Sequence, residues 1–206
     1  GLTVVPGIAV TRHDFEGDPA GIEERAVREL GLPLFVKPAC LGSSVGISKV
    51  KTRAELGPAV ALAARYDQKI LVEQAIDGRE IEVGVLGLYE PEASVPGEIV
   101  PKHEFYDYEA KYLSDDTRYL IPCGLAPEVQ TAVARLAAEA YRVLGCAGWG
   151  RVDLMIDADG QPKLLEVNTT PGMTTHSLVP KAAAALGWSM EELVVRILTT
   201  TLEGTP

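Results

Sequence analysis

The sequence is short of cysteine, aromatic residues and positive charge. Its three cysteines, Cys40, Cys123 and Cys146, are far apart and form no metal-ligand spacing. An odd, scattered set fits reduced thiols in a cytosol better than a disulfide framework. Aromatic residues make up 6% of the chain, and 19 Lys and Arg stand against 29 Asp and Glu, for a formal net charge of −10. A chain this acidic is a poor general binder of phosphate backbones, which argues against nucleic acid. It can still hold a nucleotide with a few local cations. No apolar run approaches the ~20 residues of a membrane helix. The first ten residues lack the basic segment of a signal peptide. No internal repeat or low-complexity tract occurs, and His13, His103 and His176 show no ligand pattern.

What is present is an ordinary globular mixture, 47% hydrophobic and 23% charged over 206 residues, enough for one domain or two small ones. The chain opens without Met, as if a strand were already under way, so an earlier part is expected to be absent. Asp18-Pro19 predicts a helix start, with an acidic N-cap and Pro in the first turn, running to Leu30 and stopping at Gly31. Leu32 to Lys37 reads as a strand and Ala39 to Gly46 as a small-residue loop. Thr52-Arg53-Ala54-Glu55 is a capping box for a helix to about Tyr66, with Gly57-Pro58 expected to disturb it. Lys69 to Gln74 is a predicted strand. Arg79 to Gly87 alternates Ile81, Val83 and Val85 against Glu80, Glu82 and Gly84, the pattern of a half-buried strand. Ser94 to Pro101 is a weaker one. The first part thus reads as a mixed sheet under two helices. Residues 102–124 form a long loop of the functional kind. Helices are predicted over 127–144, 177–186 and 189–203, the last with a capping box at Ser189 to Glu192.

The chemistry concentrates in a hairpin. Two apolar runs, Arg151 to Ala158 and Gln161 to Asn168, flank Asp159-Gly160, a strong two-residue turn signal. That turn sets Ala158 opposite Gln161 and Asp157 opposite Pro162. It also sets Asp153 opposite Glu166 and Arg151 opposite Asn168, all four on one face. The pairs are of the non-hydrogen-bonded kind, with Cα atoms about 4.5 Å apart. Two carboxylates that close repel unless a cation lies between them. Asp, Glu and Asn offer oxygen donors, suited to Mg²⁺ or Mn²⁺. Arg151 beside them can hold a phosphate or a developing oxyanion. The opposite face, with Val152, Leu154, Ile156, Leu165 and Val167, is apolar. A solvated polar face with cross-strand ion pairs is the plainer explanation, and the facing like charges weigh against it.

Gly150-Arg151-Val152-Asp153 and the run Leu165-Glu166-Val167-Asn168-Thr169-Thr170-Pro171-Gly172-Met173-Thr174-Thr175-His176-Ser177-Leu178 resemble the C-terminal signature of D-alanine–D-alanine ligases, which are ATP-grasp enzymes. Val36-Lys37-Pro38-Ala39, Gly42-Ser43-Ser44-Val45-Gly46 and Tyr106-Asp107-Tyr108-Glu109-Ala110-Lys111-Tyr112 match further, and the likeness runs in order over nearly the whole chain. It implies an α+β, ATP-grasp fold of two mixed or antiparallel sheet subdomains with flanking helices and ATP between them. Residues 1–88 would form the central subdomain. Residues 89–206 would form the C-terminal one, with an active-site loop at 104–121.

The resemblance also implies roles. Asp153, Glu166 and Asn168 would hold two Mg²⁺ or Mn²⁺ ions on the ATP phosphates, and Arg151 would stabilise the tetrahedral oxyanion. Lys37 would neutralise phosphates and the Ser43-Ser44 loop would close over them, with Ser43 in the active-site network. Glu73, Gln74 and Ile76 would border adenine, and Glu80 would bind the ribose. The family often has lysine where this chain has Gln74. Lys111 would approach the transferred phosphate or the second substrate's carboxylate, Tyr112 would bond the serine network, and Ser177 would help hold the second D-alanine's carboxylate. The partners implied are two D-alanines, an N-terminal domain of roughly one hundred residues and a second copy in a homodimer, all in a bacterial cytosol. Three alternatives stand beside this. They are another carboxylate–amine ligase, including one making D-Ala–D-Lac or D-Ala–D-Ser, a non-catalytic nucleotide-binding module, and an inactive fragment.

Overall fold

A computed structural model of the chain describes residues 1–41, 45–100 and 118–203. Two compact units are present. Described residues 5–77 form one. Residues 1–4, 78–100 and 118–203 form the other.

The first unit is built on a four-stranded antiparallel sheet in the order β1-β4-β2-β3. Its strands are β1 (Gly7–Thr11), β2 (Leu34–Pro38), β3 (Ser48–Val50) and β4 (Lys69–Gln74). Helices α1 (Arg12–Gly17), α2 (Pro19–Leu30) and α3 (Arg53–Ala63) accompany it. The helix signals read from the sequence hold. The Asp18 carboxylate accepts from Gly21 N, and Gly31 ends α2 at φ 74°. Thr52 and Glu55 cap α3 reciprocally, and Pro58 lies inside that helix. One apolar cluster runs from Ile8 and Val10 through Leu34, Val36, Ile70 and Val72 to Leu56 and Val60. Strand β1, helix α1 and strand β3 were not anticipated. The opening residues 1–6 are no strand; Val4 makes only an isolated parallel bridge to Leu164.

The second unit is a six-stranded antiparallel sheet, β10-β9-β5-β7-β8 with β6 beside β5. These are β5 (Gly78–Gly87), β6 (Glu92–Ala93), β7 (Gly97–Val100), β8 (Arg118–Leu120), β9 (Gly148–Asp157) and β10 (Pro162–Asn168). The single mixed sheet expected for the first part is therefore corrected. Strand β5 pairs with the hairpin far along the chain, not with β4, while β6 and β7 pair with β5, and all of this pairing is antiparallel. The units change over at residue 78, before β5, whereas the sequence reading divides the chain after 88.

Strand β5 is also more deeply covered than its alternation suggested. Ile81 through Val85 are all buried. Helix α4 (Pro127–Val143) supplies Val133, Ala137 and Tyr141 to one side, against Ile81, Val83 and Val152. Helix α5 (Leu178–Ala185) approaches the other side, where a Cβ on Gly84 would lie 3.4 Å from Val179. Helix α6 (Met190–Glu203) is capped as expected, with Ser189 N donating to Glu192 and Glu192 N to Ser189 Oγ.

Candidate active site

The β9–β10 hairpin positions the site, and its turn is not the two-residue type expected. Asp157 N donates to Gln161 O at 3.1 Å and Ile156 stands opposite Pro162. The loop therefore holds three residues, Ala158 to Gly160. The Asp157 carboxylate accepts from the amides of Asp159 and Gln161, and Gly160 takes φ 76°, the left-handed region that glycine occupies without penalty. This moves the register by one residue. A bulge between Leu164 and Glu166 moves it back. The pairs Asp153–Glu166 and Arg151–Asn168 are thus as expected, while Asp157–Pro162 and Ala158–Gln161 are not. The bulge also changes the apolar face, where Leu164 takes the core place expected of Leu165.

The polar face is tightly connected. Arg151 grips Asp153 with a fork, Nε to Oδ1 at 2.7 Å and Nη2 to Oδ2 at 2.6 Å. Asn168 Nδ2 donates to Asp153 Oδ2 at 2.9 Å and to Glu166 Oε1 at 3.1 Å. Glu82 of β5 joins them, with Oε1 3.1 Å from Arg151 Nε. Glu82, Asp153 and Glu166 form one cross-strand row over three adjacent strands. Burial works to lower the Arg151 pKa, but the carboxylates of Asp153, Glu82 and Glu166 outweigh it and hold the guanidinium charged, above its usual value. Behind this face, a Cβ on Gly150 would lie 2.8 Å from the Tyr141 ring, so glycine lets that ring pack against the strand. The sequence reading missed Glu82. Its alternation with Glu80 was visible, but its place in the row depends on β5 pairing with β9.

Among the described residues no three of His, Cys, Asp and Glu converge as a ready-made metal cage. Two carboxylates with one amide are what the site offers. That donor set suits Mg²⁺, which keeps several waters and binds through one or two carboxylates together with substrate phosphates.

The other candidate residues fall as follows. Lys37 on β2 and Glu73 on β4 form a buried ion pair at 2.8 Å, with side chains 8% and 11% exposed. Gln74 ends β4 and donates from Nε2 to the Leu30 carbonyl at 3.2 Å, at the end of α2. Ile76 is half-buried just beyond. Glu80 lies half-buried on β5, between Ile99 and Met155 of the neighbouring strands. Ser177 stands at the N-cap of α5, yet its hydroxyl does not cap the helix; it accepts from Thr174 N at 3.1 Å and meets Thr174 Oγ1 at 3.0 Å. Gly42, Ser43, Ser44, Lys111 and Tyr112 lie outside the described residues, as does most of the 104–121 loop; its end, Arg118–Leu120, is strand β8.

Residues 1–199 match the family described as D-ala D-ala ligase C-terminus. The D-alanine–D-alanine ligase of Marinobacter nauticus is 57% identical over 93% of this chain and 62% of its own length. That of Xanthomonas axonopodis pv. citri is 55% identical, over 86% of this chain and 55% of its own. That of Haemophilus influenzae is 50% identical, over 98% and 66%. The chain thus spans between 55% and 66% of these relatives. Among solved structures, the D-alanine–D-alanine ligase of Coxiella burnetii superposes with a TM-score of 0.85 at 32% identity, over 98% of this chain and 53% of that one. The D-Ala:D-Ser ligase VanG of Enterococcus faecalis gives 0.84 at 32%, over 97% and 57%. With the family match running almost end to end and the folds agreeing, this chain belongs to the D-alanine–D-alanine ligase family, as its C-terminal, ATP-grasp part.

Proposed function

We propose that this chain is the catalytic part of a Mg²⁺-dependent ligase that joins two D-alanines at the expense of ATP and so supplies a peptidoglycan precursor. One observation carries the reading. Arg151, Asp153, Glu166 and Asn168 meet on one hairpin face, in a chain closely related to ligases of that name.

Asp153, Glu166 and Asn168 hold the cation, which when bound offsets charge on the ATP phosphates. The Lys37 ammonium serves the phosphates, Glu73 and its neighbours Gln74 and Ile76 border the adenine, and Glu80 accepts from the ribose hydroxyls. Phosphoryl transfer is then mostly positioning and electrostatics. An oxygen of the first D-alanine's carboxylate bonds the γ-phosphorus, and ADP leaves with the electron pair of the broken P–O bond. The second D-alanine's amine bonds the acyl carbon of the resulting D-alanyl phosphate and gives up a proton. Negative charge gathers on the carbonyl oxygen, and Arg151 donates to it. The C–O bond to phosphate breaks, leaving the dipeptide and inorganic phosphate. Ser177 helps hold the second D-alanine's carboxylate. Ser43, Ser44, Lys111 and Tyr112 belong to the segments that close over the reactants and keep water from the acyl phosphate. An N-terminal domain holds the first D-alanine's amine, and the full-length protein works as a homodimer in a bacterial cytosol.

A second reading, with D-serine as acceptor, has the likeness to the Enterococcus faecalis enzyme behind it. Phosphate release and product mass, measured on the full-length protein with D-alanine, D-serine, D-lactate or no acceptor, separate the two. Fastest turnover to D-alanyl-D-alanine is expected. Faster D-serine or D-lactate coupling would reject the acceptor, and turnover that ignores all acceptors would reject the ligase.

A further inference from the structure

Glu82 has no role in the reading above, yet it is 3% exposed in the middle of the polar face. Carboxylates this deeply buried occur almost only with a partner. Glu82 Oε1 lies 3.1 Å from Arg151 Nε, the same nitrogen that donates to Asp153 Oδ1, so it stands ready to accept that N–H when the Asp153 oxygen is engaged elsewhere. Opposite Arg151 on β5 stands Gly84, which offers no side chain, so Glu82, two residues along and next on the same face, is the β5 carboxylate that the guanidinium meets.

Asp153 has only two oxygens. Both accept from Arg151, and Oδ2 accepts from Asn168 as well. Resting on the roles given above to Arg151 and Asp153, these demands compete. An Asp153 oxygen given to a cation is an oxygen weakened as an anchor for Arg151, and the cation itself repels the guanidinium. Arg151 must then be held from elsewhere, because a catalytic donor displaced by even 1 Å loses much of its effect. We propose that Glu82 is a positioning residue for Arg151, holding the guanidinium on the hairpin face while the Asp153 oxygens serve the cation. The Arg151–Asp153 fork and the Arg151–Glu82 contact are then two anchors of which one is always available.

The test uses full-length protein and compares Glu82→Gln, Arg151→Ala and the double variant. Glu82→Gln is expected to lower kcat by about 10–100-fold, the usual cost of removing a group that orients another. KM for ATP and for D-alanine should move by no more than about twofold, since ground-state binding is not the target. On the Arg151→Ala background the same change is expected to have no further effect, because both variants remove one function. Mn²⁺ titration followed by electron paramagnetic resonance should give the same number of bound ions for Glu82→Gln and wild type. A kcat within about threefold of wild type would overturn the proposal, and so would a loss that multiplies with Arg151→Ala, or a missing Mn²⁺ ion, which would make Glu82 a ligand. If Arg151→Ala itself leaves ligation unchanged, the role of Arg151 fails and the inference with it. If Arg151→Ala is crippled and Glu82→Gln is not, only the inference fails. Should Glu82→Gln not fold, Glu82→Asp is judged by the same kcat loss and the same dependence on Arg151.

Discussion

Two buried charge clusters, one in each unit, are built in opposite ways. In the four-stranded sheet one ammonium meets one carboxylate, Lys37 to Glu73, at 2.8 Å. In the six-stranded sheet three carboxylates, Glu82, Asp153 and Glu166, line up around one guanidinium. A one-to-one pair balances its own charge, and removing either member leaves the other ill-served. A row of like charges across strands is held at a cost that a further cation would relieve. The first arrangement is therefore most sensitive to losing a charge through stability, and the second through chemistry.

The largest effect should come from the row. Glu166→Gln in the full-length protein is expected to cut ATP-dependent phosphate release by about 10³-fold or more, because cation-held phosphate charge is worth several kcal/mol. The same change removes one negative charge from the row, so its melting temperature should stay level or rise. A melting temperature that falls as far as that of a Lys37 variant would break the comparison.

Next is the pair. Lys37→Met takes the cation from a carboxylate only 11% exposed. Urea unfolding should show a loss of about 3–5 kcal/mol, the usual result of halving a buried ion pair. Adding Glu73→Leu should recover most of it. If the double variant is no more stable than the single, the pair is not the self-balanced unit described here.

A third test concerns the helix-covered side of the six-stranded sheet. The Tyr141 hydroxyl is buried and has no hydrogen-bond partner among the described residues. Burial, with the Cys146 thiolate as a lesser contribution, pushes its pKa from 10 up to about 12. Folding thus favours the protonated phenol. That contribution is complete below pH 10 and is lost as pH rises from 10 to about 12, roughly 2–3 kcal/mol in all. Tyr141→Phe should remove this alkaline loss and leave stability at pH 7 equal or about 1 kcal/mol higher. Denaturant unfolding at pH 7 and pH 11 checks both, and an unchanged alkaline slope would show that another group sets it.

The smallest effect should be at the turn. Gly160→Ala forces an L side chain into φ 76° and is expected to cost about 1–2 kcal/mol in a melting experiment. The bulge lies beyond the turn and pins the register of the row, so ligase activity per folded molecule should be kept.

Much of this was legible in the sequence because it is local. Caps at Asp18, Thr52 and Ser189 satisfy nearby amides, and a glycine-containing turn between apolar runs makes a hairpin whatever surrounds it. The pairing of Asp153 with Glu166 and of Arg151 with Asn168 was legible too, though through two compensating shifts that the sequence did not disclose. The loop has three residues, and a bulge at Leu165 restores the register. The buried Lys37 was visible as a strand-end lysine in a family motif, but not its pairing with Glu73.

The chain alone thus determined its helix ends, its hairpin, the one-sided polar face of that hairpin and its family. Each depends on contacts within a few residues or on the identity of short runs. Tertiary structure alone decided that β5 leaves the first sheet and lies beside β9, more than sixty residues away, and that helices cover it on both sides. That pairing turns Glu82 from one polar residue of an alternating strand into a buried carboxylate against Arg151. No local pattern encodes it, because which strands adjoin is settled by the burial of whole apolar faces against one another, and neighbouring strands bring together residues that no spacing along the chain relates.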